Sequence, residues 1–202
     1  MSQGSSPRSR SVVALLLIVV AVAIFSISFS LLMHNESHPP RGGLGPGFAM
    51  PPIQAAGWIN GSAPSAVSLK GKVLVVDAWA YWCGPCLAEA PHLVSSYNTF
   101  HDRGVVFIGL TGDTGKNILD MKRFLKEGKI PWPCAYGAGQ TLYALGVEGI
   151  PQVWVVGVDG KIRWNFDSEG SLDAAIEDAL AESPSQVAER SPERDAERRV
   201  QP

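Results

Sequence analysis

The residues best placed to do chemistry are two cysteines with two residues between them, in Trp82-Cys83-Gly84-Pro85-Cys86. This spacing serves either zinc or redox chemistry. Zinc ordinarily takes four ligands, whereas the chain has one further thiol, Cys134, and no histidine at a matching short spacing. No metal is therefore expected. A purely structural disulfide would close a loop too small to remove much chain entropy. The redox reading has a direct physical cause. If a helix opens at the motif, its unpaired N–H groups and positive dipole end stabilise a thiolate and pull a cysteine below its ordinary value of about 8.5.

The flanking patterns supply the elements such a site needs. Residues 73–79 form an apolar, largely β-branched run between Gly71 and Gly84, as in a strand buried on both faces. Leu87, Ala90, Leu93, Val94, Tyr97 and Phe100 then recur at helical spacing until Gly104. A second buried strand is predicted over 105–110, a second amphipathic helix over 118–126 and a short helix over 141–145. Residues 152–158 and 161–165, joined at Asp159-Gly160, read as a hairpin. Residues 171–181 read as a last helix capped by Ser171. Strand and helix alternating, then a hairpin and a helix, predict an α/β fold with a mixed central sheet flanked by helices.

The rest of the chain sets this core in context. Residues 12–33 carry no charge, and as a helix they would be roughly 33 Å long, enough to cross a bilayer. Arg8 and Arg10 precede the stretch and the next Lys or Arg is Arg41, so residues 1–11 are expected in the cytoplasm and the domain outside it, on the periplasmic side. A cleaved signal peptide is the competing reading, because small residues follow the apolar run at Ser26, Ser28 and Ser30. Residues 34–57 read as a Pro/Gly-rich flexible linker without regular hydrogen bonding, with His34 and His38 as solvated linker residues. Residues 58–182 form the folded domain, and 183–202, a degenerate Ser-Pro octet repeat, a charged disordered tail. With 17 Lys and Arg against 19 Asp and Glu, no global field recruits nucleic acid. Three cysteines exclude a disulfide scaffold.

Taken together, Val76-Asp77-Ala78-Trp79-Ala80, the Cys83-Gly84-Pro85-Cys86 motif and Gly149-Ile150-Pro151 resemble the strand, active-site turn and cis-proline segment of thioredoxin-fold proteins. The finer resemblance is to membrane-anchored TlpA/ResA-like thiol:disulfide oxidoreductases. It rests on the apolar N-terminal stretch, Leu69-Lys70-Gly71-Lys72, Cys86-x-x-Glu89-x-Pro91, and the 65-residue step from Cys86 to Pro151, which leaves room for an extra strand-and-helix unit. The resemblance implies a thioredoxin-like fold and a disulfide-exchanging enzyme that needs no cofactor. Cys83 would be the exposed nucleophile and Cys86 the resolving thiol. Trp82, Gly84, Pro85, Ile150 and Pro151 would bind substrate, the Ile150 backbone pairing with an extended segment. Disulfide-containing exported proteins, apocytochromes among the candidates, would be substrates, and a membrane electron donor would keep the dithiol reduced.

Two carboxylates complete the expected site. Asp77, six residues before Cys83 in an apolar strand, is expected to be buried with a raised pKa and to relay a proton for Cys86. The chain departs from thioredoxin here, since 105–110 holds no lysine to pair with it. Glu89 is marked only by the resemblance. Cys134 is expected as a small buried hydrophobe, His92 and His101 as exposed helix residues, Trp79 and Trp82 as shapers of a substrate surface, and Trp154 and Trp164 as packing residues. Two rivals stay open. A peroxiredoxin-like peroxidase would need Thr or Ser and Pro at the positions held by Ala80 and Val76, and a non-catalytic binding module would have no use for both cysteines. The anchor reading predicts that the mature protein keeps residues 1–33 and fractionates with membranes. N-terminal sequencing that starts near Ser28 or Leu31 would establish a signal peptide instead.

Overall fold

The computed structural model describes residues 17–18, 20–22 and 42–182. The chain divides into two units, Met1–Pro39 and Pro40–Pro202. In the first, the five described residues are helical. No helix among the described residues is long and apolar enough to cross a membrane. The rest of the expected anchor over 12–33, His34 and His38, and the tail over 183–202 lie outside the described residues.

In the second unit the elements run β1 (Gly57–Ile59), α1 (Ala66–Leu69), β2 (Leu74–Ala78), α2 (Gly84–Phe100), β3 (Val106–Leu110), α3 (Ile118–Glu127), β4 (Cys134–Tyr136), α4 (Gly139–Ala144), β5 (Gln152–Val156), β6 (Ile162–Asn165) and α5 (Leu172–Ala181). Six strands form one mixed sheet in the order β1-β4-β3-β2-β5-β6. Strands β2, β3 and β4 are parallel neighbours, while β1, β5 and β6 pair antiparallel. This is the thioredoxin-like α/β architecture, and β4 with α4 fills the long step between the cysteines and Pro151.

Alternation along β2 divides the core. Val75 and Trp79 face one side, with Cys86, Ala90 and Leu93 of α2, Met121 and Phe124 of α3 and Ile176 of α5. Val76 and Ala78 face the other, with Leu145, Trp154 and Ile162. The second face has as helical cover the six residues of α4 and Leu69 of the four-residue α1, too little to close it. The segment expected as a flexible linker does the rest, and that expectation is corrected for residues 42–56. Leu44, Met50 and Ile53 pack on this face. Met50 N–H donates to Gly160 O, Ala56 N–H to Tyr136 O, and Leu44 N–H to Leu145 O at 2.7 Å. Trp154 Nε1 donates to Leu44 O at 3.0 Å. Gly43 must be glycine: its φ is +111° and a Cβ would meet the Trp154 ring at 2.9 Å. Prolines and glycines withhold internal ladders, but they do not prevent bonds to a distant sheet.

Thr141 of α4 anchors the strap. Its Oγ1 accepts from Gln54 N–H at 2.8 Å and lies 3.2 Å from Gln54 O, to which it can donate. Thr141→Val keeps the shape and removes the partner of the part-buried Gln54 N–H, so it should cost about 0.5–1.5 kcal/mol in urea unfolding with the redox chemistry intact. A loss under about 0.5 kcal/mol, the range of a neutral surface change, would show that the strap bears no load there.

Candidate active site

Strand β2 delivers the site. Trp79 N–H still bonds Leu110 O after the strand ends, then residues 80–82 turn and Cys83 caps α2. Cys83 Sγ accepts from the Cys86 N–H at 3.1 Å, and Pro85 sits in the first turn, where its missing donor costs nothing. Acidic residues are absent from that first turn, so the positive end of a 17-residue helix faces the sulfurs uncompensated. Cys83 and Cys86 form a disulfide with Cα atoms 5.3 Å apart. One expectation is corrected: Cys83 is only 4% exposed, no more open than Cys86 at 5%. With its sulfur bonded inward to Cys86, exposure passes to Trp82, at 66%, and to Gly84 and Pro85.

Pairing brings the cis-proline segment to the same sheet edge. Ala78 is opposite Gln152 in the β2–β5 ladder, so the residues just beyond, Trp79 and Pro151, emerge together. The Ile150–Pro151 peptide is cis. Gln152 locks this end of β5: its Oε1 accepts from Val153 and Phe166 N–H groups, and its Nε2 donates to Gly42 O at 2.6 Å.

Asp77 lies on the face of β2 that turns to α2, between Gly109 of β3 and Val153 of β5. It is 4% exposed, and no hydrogen bond among the described residues ends on its carboxyl. Burial first, then the negative charge of Glu89, raises its pKa from 3.8 to about 7. The expected burial and upward shift are both present. Glu89, one turn after Cys86, is partly solvated, its side chain 30% exposed and 3.6 Å from His92 Nδ1. Cys134 is a buried free thiol, held well above its usual range by desolvation and then by Asp77.

Other placements are mixed. Trp79 is buried and stacks on Phe124 at 4.8 Å between centroids. It therefore shapes the core, a correction to the expected substrate surface, because period-2 alternation turns it inward with Val75. Trp154 and Trp164 are packing residues as expected. His92 is exposed, but His101 has left the helix for a half-buried 3₁₀ turn, where it stacks on Tyr97. Sequence reasoning missed Asp113. Its carboxylate accepts from Tyr81 N–H, from Trp82 Nε1 at 3.3 Å and from Thr111 Oγ1 at 3.0 Å, fixing the loop before Cys83. The signal was the polar Thr111-Gly112-Asp113 directly after β3, since residues that follow adjacent parallel strands share one edge.

A redox dithiol at a helix start beside a cis-proline, on a mixed α/β sheet, defines a thioredoxin-like disulfide-exchange protein. Residues 49–180 match the Redoxin family, and the chain belongs to it. Thiol-disulfide oxidoreductase ResA of Oceanobacillus iheyensis is 26% identical over 153 residues, covering 74% of this chain and 76% of the relative. The Bacillus subtilis protein of the same name is 27% identical over 104 residues, covering 51% and 57%. Among solved structures, the thioredoxin domain of a thiol-disulfide oxidoreductase from Bacteroides vulgatus superposes with a TM-score of 0.58 at 26% identity, covering 68% of this chain and 99% of that one. With its own Cys83–Cys86 bridge, the chain is a thiol–disulfide oxidoreductase.

The uncompensated carboxyl at position 77 makes stability depend on pH. Between 3.8 and about 7 the folded state holds a proton that the unfolded chain has lost. Stability is therefore greatest below 3.8, falls as pH rises through this window, and is flat above it with respect to this group. Asp77→Asn should remove that slope and stabilise the protein by up to roughly 4 kcal/mol at pH 8. Urea midpoints of both proteins from pH 4 to pH 8 check this, and parallel curves would show that Asp77 does not titrate there.

Proposed function

We propose that this enzyme works in the reducing direction on disulfides of exported proteins, with Cys83 as nucleophile, Cys86 as resolving thiol and Asp77 as proton acceptor. The observation that carries the reading is a buried carboxyl without a counter-charge on the strand that leads into a Cys-Gly-Pro-Cys helix start. In the reduced enzyme, Cys83 thiolate attacks one sulfur of a substrate disulfide. A Cys83–substrate disulfide forms, and the other substrate sulfur leaves as a thiolate. Cys86 then passes its proton to Asp77 and attacks Cys83 Sγ, expelling the second substrate thiolate. Two electrons and two sulfur bonds have moved: the substrate is reduced and Cys83–Cys86 oxidised. A dithiol donor reverses the exchange at the enzyme.

Gly-Pro between the cysteines favours this direction, since thioredoxin with the same dipeptide sits at about −270 mV. The Ile150 backbone and exposed Trp82 would receive the substrate as an added strand. The N-terminal stretch would tether the domain outside the cytoplasm, close to a membrane electron donor. Glu89 would act through its charge, raising the thiol pKa values.

The test is trapping. Cys83→Ser should abolish insulin reduction, while Cys86→Ser should accumulate mixed disulfides through Cys83, because only Cys86 can release the substrate. Trapping by Cys83→Ser would reverse the two roles. Consumption of peroxide in place of insulin would favour the peroxidase reading. Inactivity in both assays would leave a binding module.

A further inference from the structure

One row of residues crosses the sheet directly behind the disulfide. Register places Ile59, Cys134, Gly109, Asp77 and Val153 side by side on β1, β4, β3, β2 and β5. The middle position has no side chain, and its neighbours fill the gap. A Cβ built on Gly109 would lie 2.5 Å from Cys134 Sγ and 2.8 Å from Trp79 Nε1. The Cys134 sulfur therefore leans across β3 toward Asp77 and meets the indole N–H there. Any side chain at position 109 would evict one of them.

The hydrogen bonds around this gap run away from Asp77. The Cys134 thiol donates to Trp132 O at 3.6 Å. Trp79 Nε1 is buried without an oxygen or nitrogen acceptor and lies against the sulfur. The indole N–H is thus turned to the sulfur and not to the carboxyl. The titratable groups facing Asp77 are Glu89 and the Cys83–Cys86 pair of α2 and Cys134 of β4; β3 and β5 present Gly109 and Val153. None of these carries a positive charge.

We propose that Cys134 is a positioning residue for Asp77: its sulfur fills the space over Gly109 and so denies the carboxyl a hydrogen-bond donor from that side. The inference rests on the reading of Asp77 as proton acceptor. A carboxylate stripped of donors is a stronger base than one that accepts several bonds. Cys134, Gly109 and Trp79 thus set proton affinity in this enzyme, where thioredoxin places a lysine across from the aspartate.

The experiment follows the Asp77 carboxyl by ¹³C NMR in the full-length oxidised chain, the signal being assigned through its loss in Asp77→Asn. Cys134→Ser brings a rotatable hydroxyl donor, and Cys134→Ala opens room for a water bonded to both Trp79 Nε1 and the carboxyl. In at least one of them the titration midpoint should move down by about one pH unit, the effect of one hydrogen bond on a charged group. Midpoints that stay within about 0.2 of wild type in both variants, or move up, would overturn the proposal whatever their effect on thermal stability. Insulin reduction by the wild type is scored separately. A shifted midpoint in an enzyme inactive on insulin would sink the functional reading and leave the electrostatic one standing. An active enzyme with unmoved midpoints would do the reverse.

Discussion

The structure depends on one costly arrangement: a carboxyl buried in a central strand, with no cation and no hydrogen-bond donor to meet it among the described residues. Burial disfavours its charged form by several kcal/mol, and a fold selected for stability alone would place an apolar residue there. Asp77 is tolerated because it keeps its proton until near neutral pH. The same property makes it useful. A carboxyl of ordinary pKa would be a weak base at the pH where a buried thiol must be deprotonated.

Every neighbouring element serves that constraint. Helix α2 brings Cys86 and Glu89 over Asp77, and its dipole holds negative charge on the sulfurs while Glu89 opposes it. Gly109 and Val153 flank the carboxyl without polar groups. On the opposite face, the strap over 42–56 seals a surface that α4 is too short to cover. The strap also reaches Gln152 through Gly42 O, one residue past the cis-proline. Asp113 does for the loop before Cys83 what Gln152 does for the segment after Pro151. The two carry the substrate-facing rim on long-range hydrogen bonds.

The sequence made the centre of this site legible and its supports obscure. Cys83, Cys86 and Asp77 stand out because residue type, spacing and an apolar surround state their chemistry locally. The long helices and central strands follow from period 3.6 and from β-branched runs. Strands β1 and β4 have three residues each, too few for alternation to show. The strap resembles a tether in sequence because glycine and proline record what a segment cannot do within itself, whereas its bonds go to residues about 100 positions away. Asp113 and Gln152 are ordinary in sequence and become functional only through strand register. The burial of Cys83 is not legible in sequence, because it comes with the sulfur's bond to Cys86.

The account's central claim is that Asp77 takes the Cys86 proton. Stopped-flow release of a preformed Cys83 mixed disulfide, between about pH 6 and pH 9 to bracket a free thiol near 8.5, tests it most directly. Asp77→Asn should slow release near neutral pH, with the defect shrinking as pH rises and Cys86 ionises unaided. If Asp77→Asn matches wild type throughout while Glu89→Gln shows the pH-dependent loss, the acceptor is Glu89 and the buried aspartate is structural.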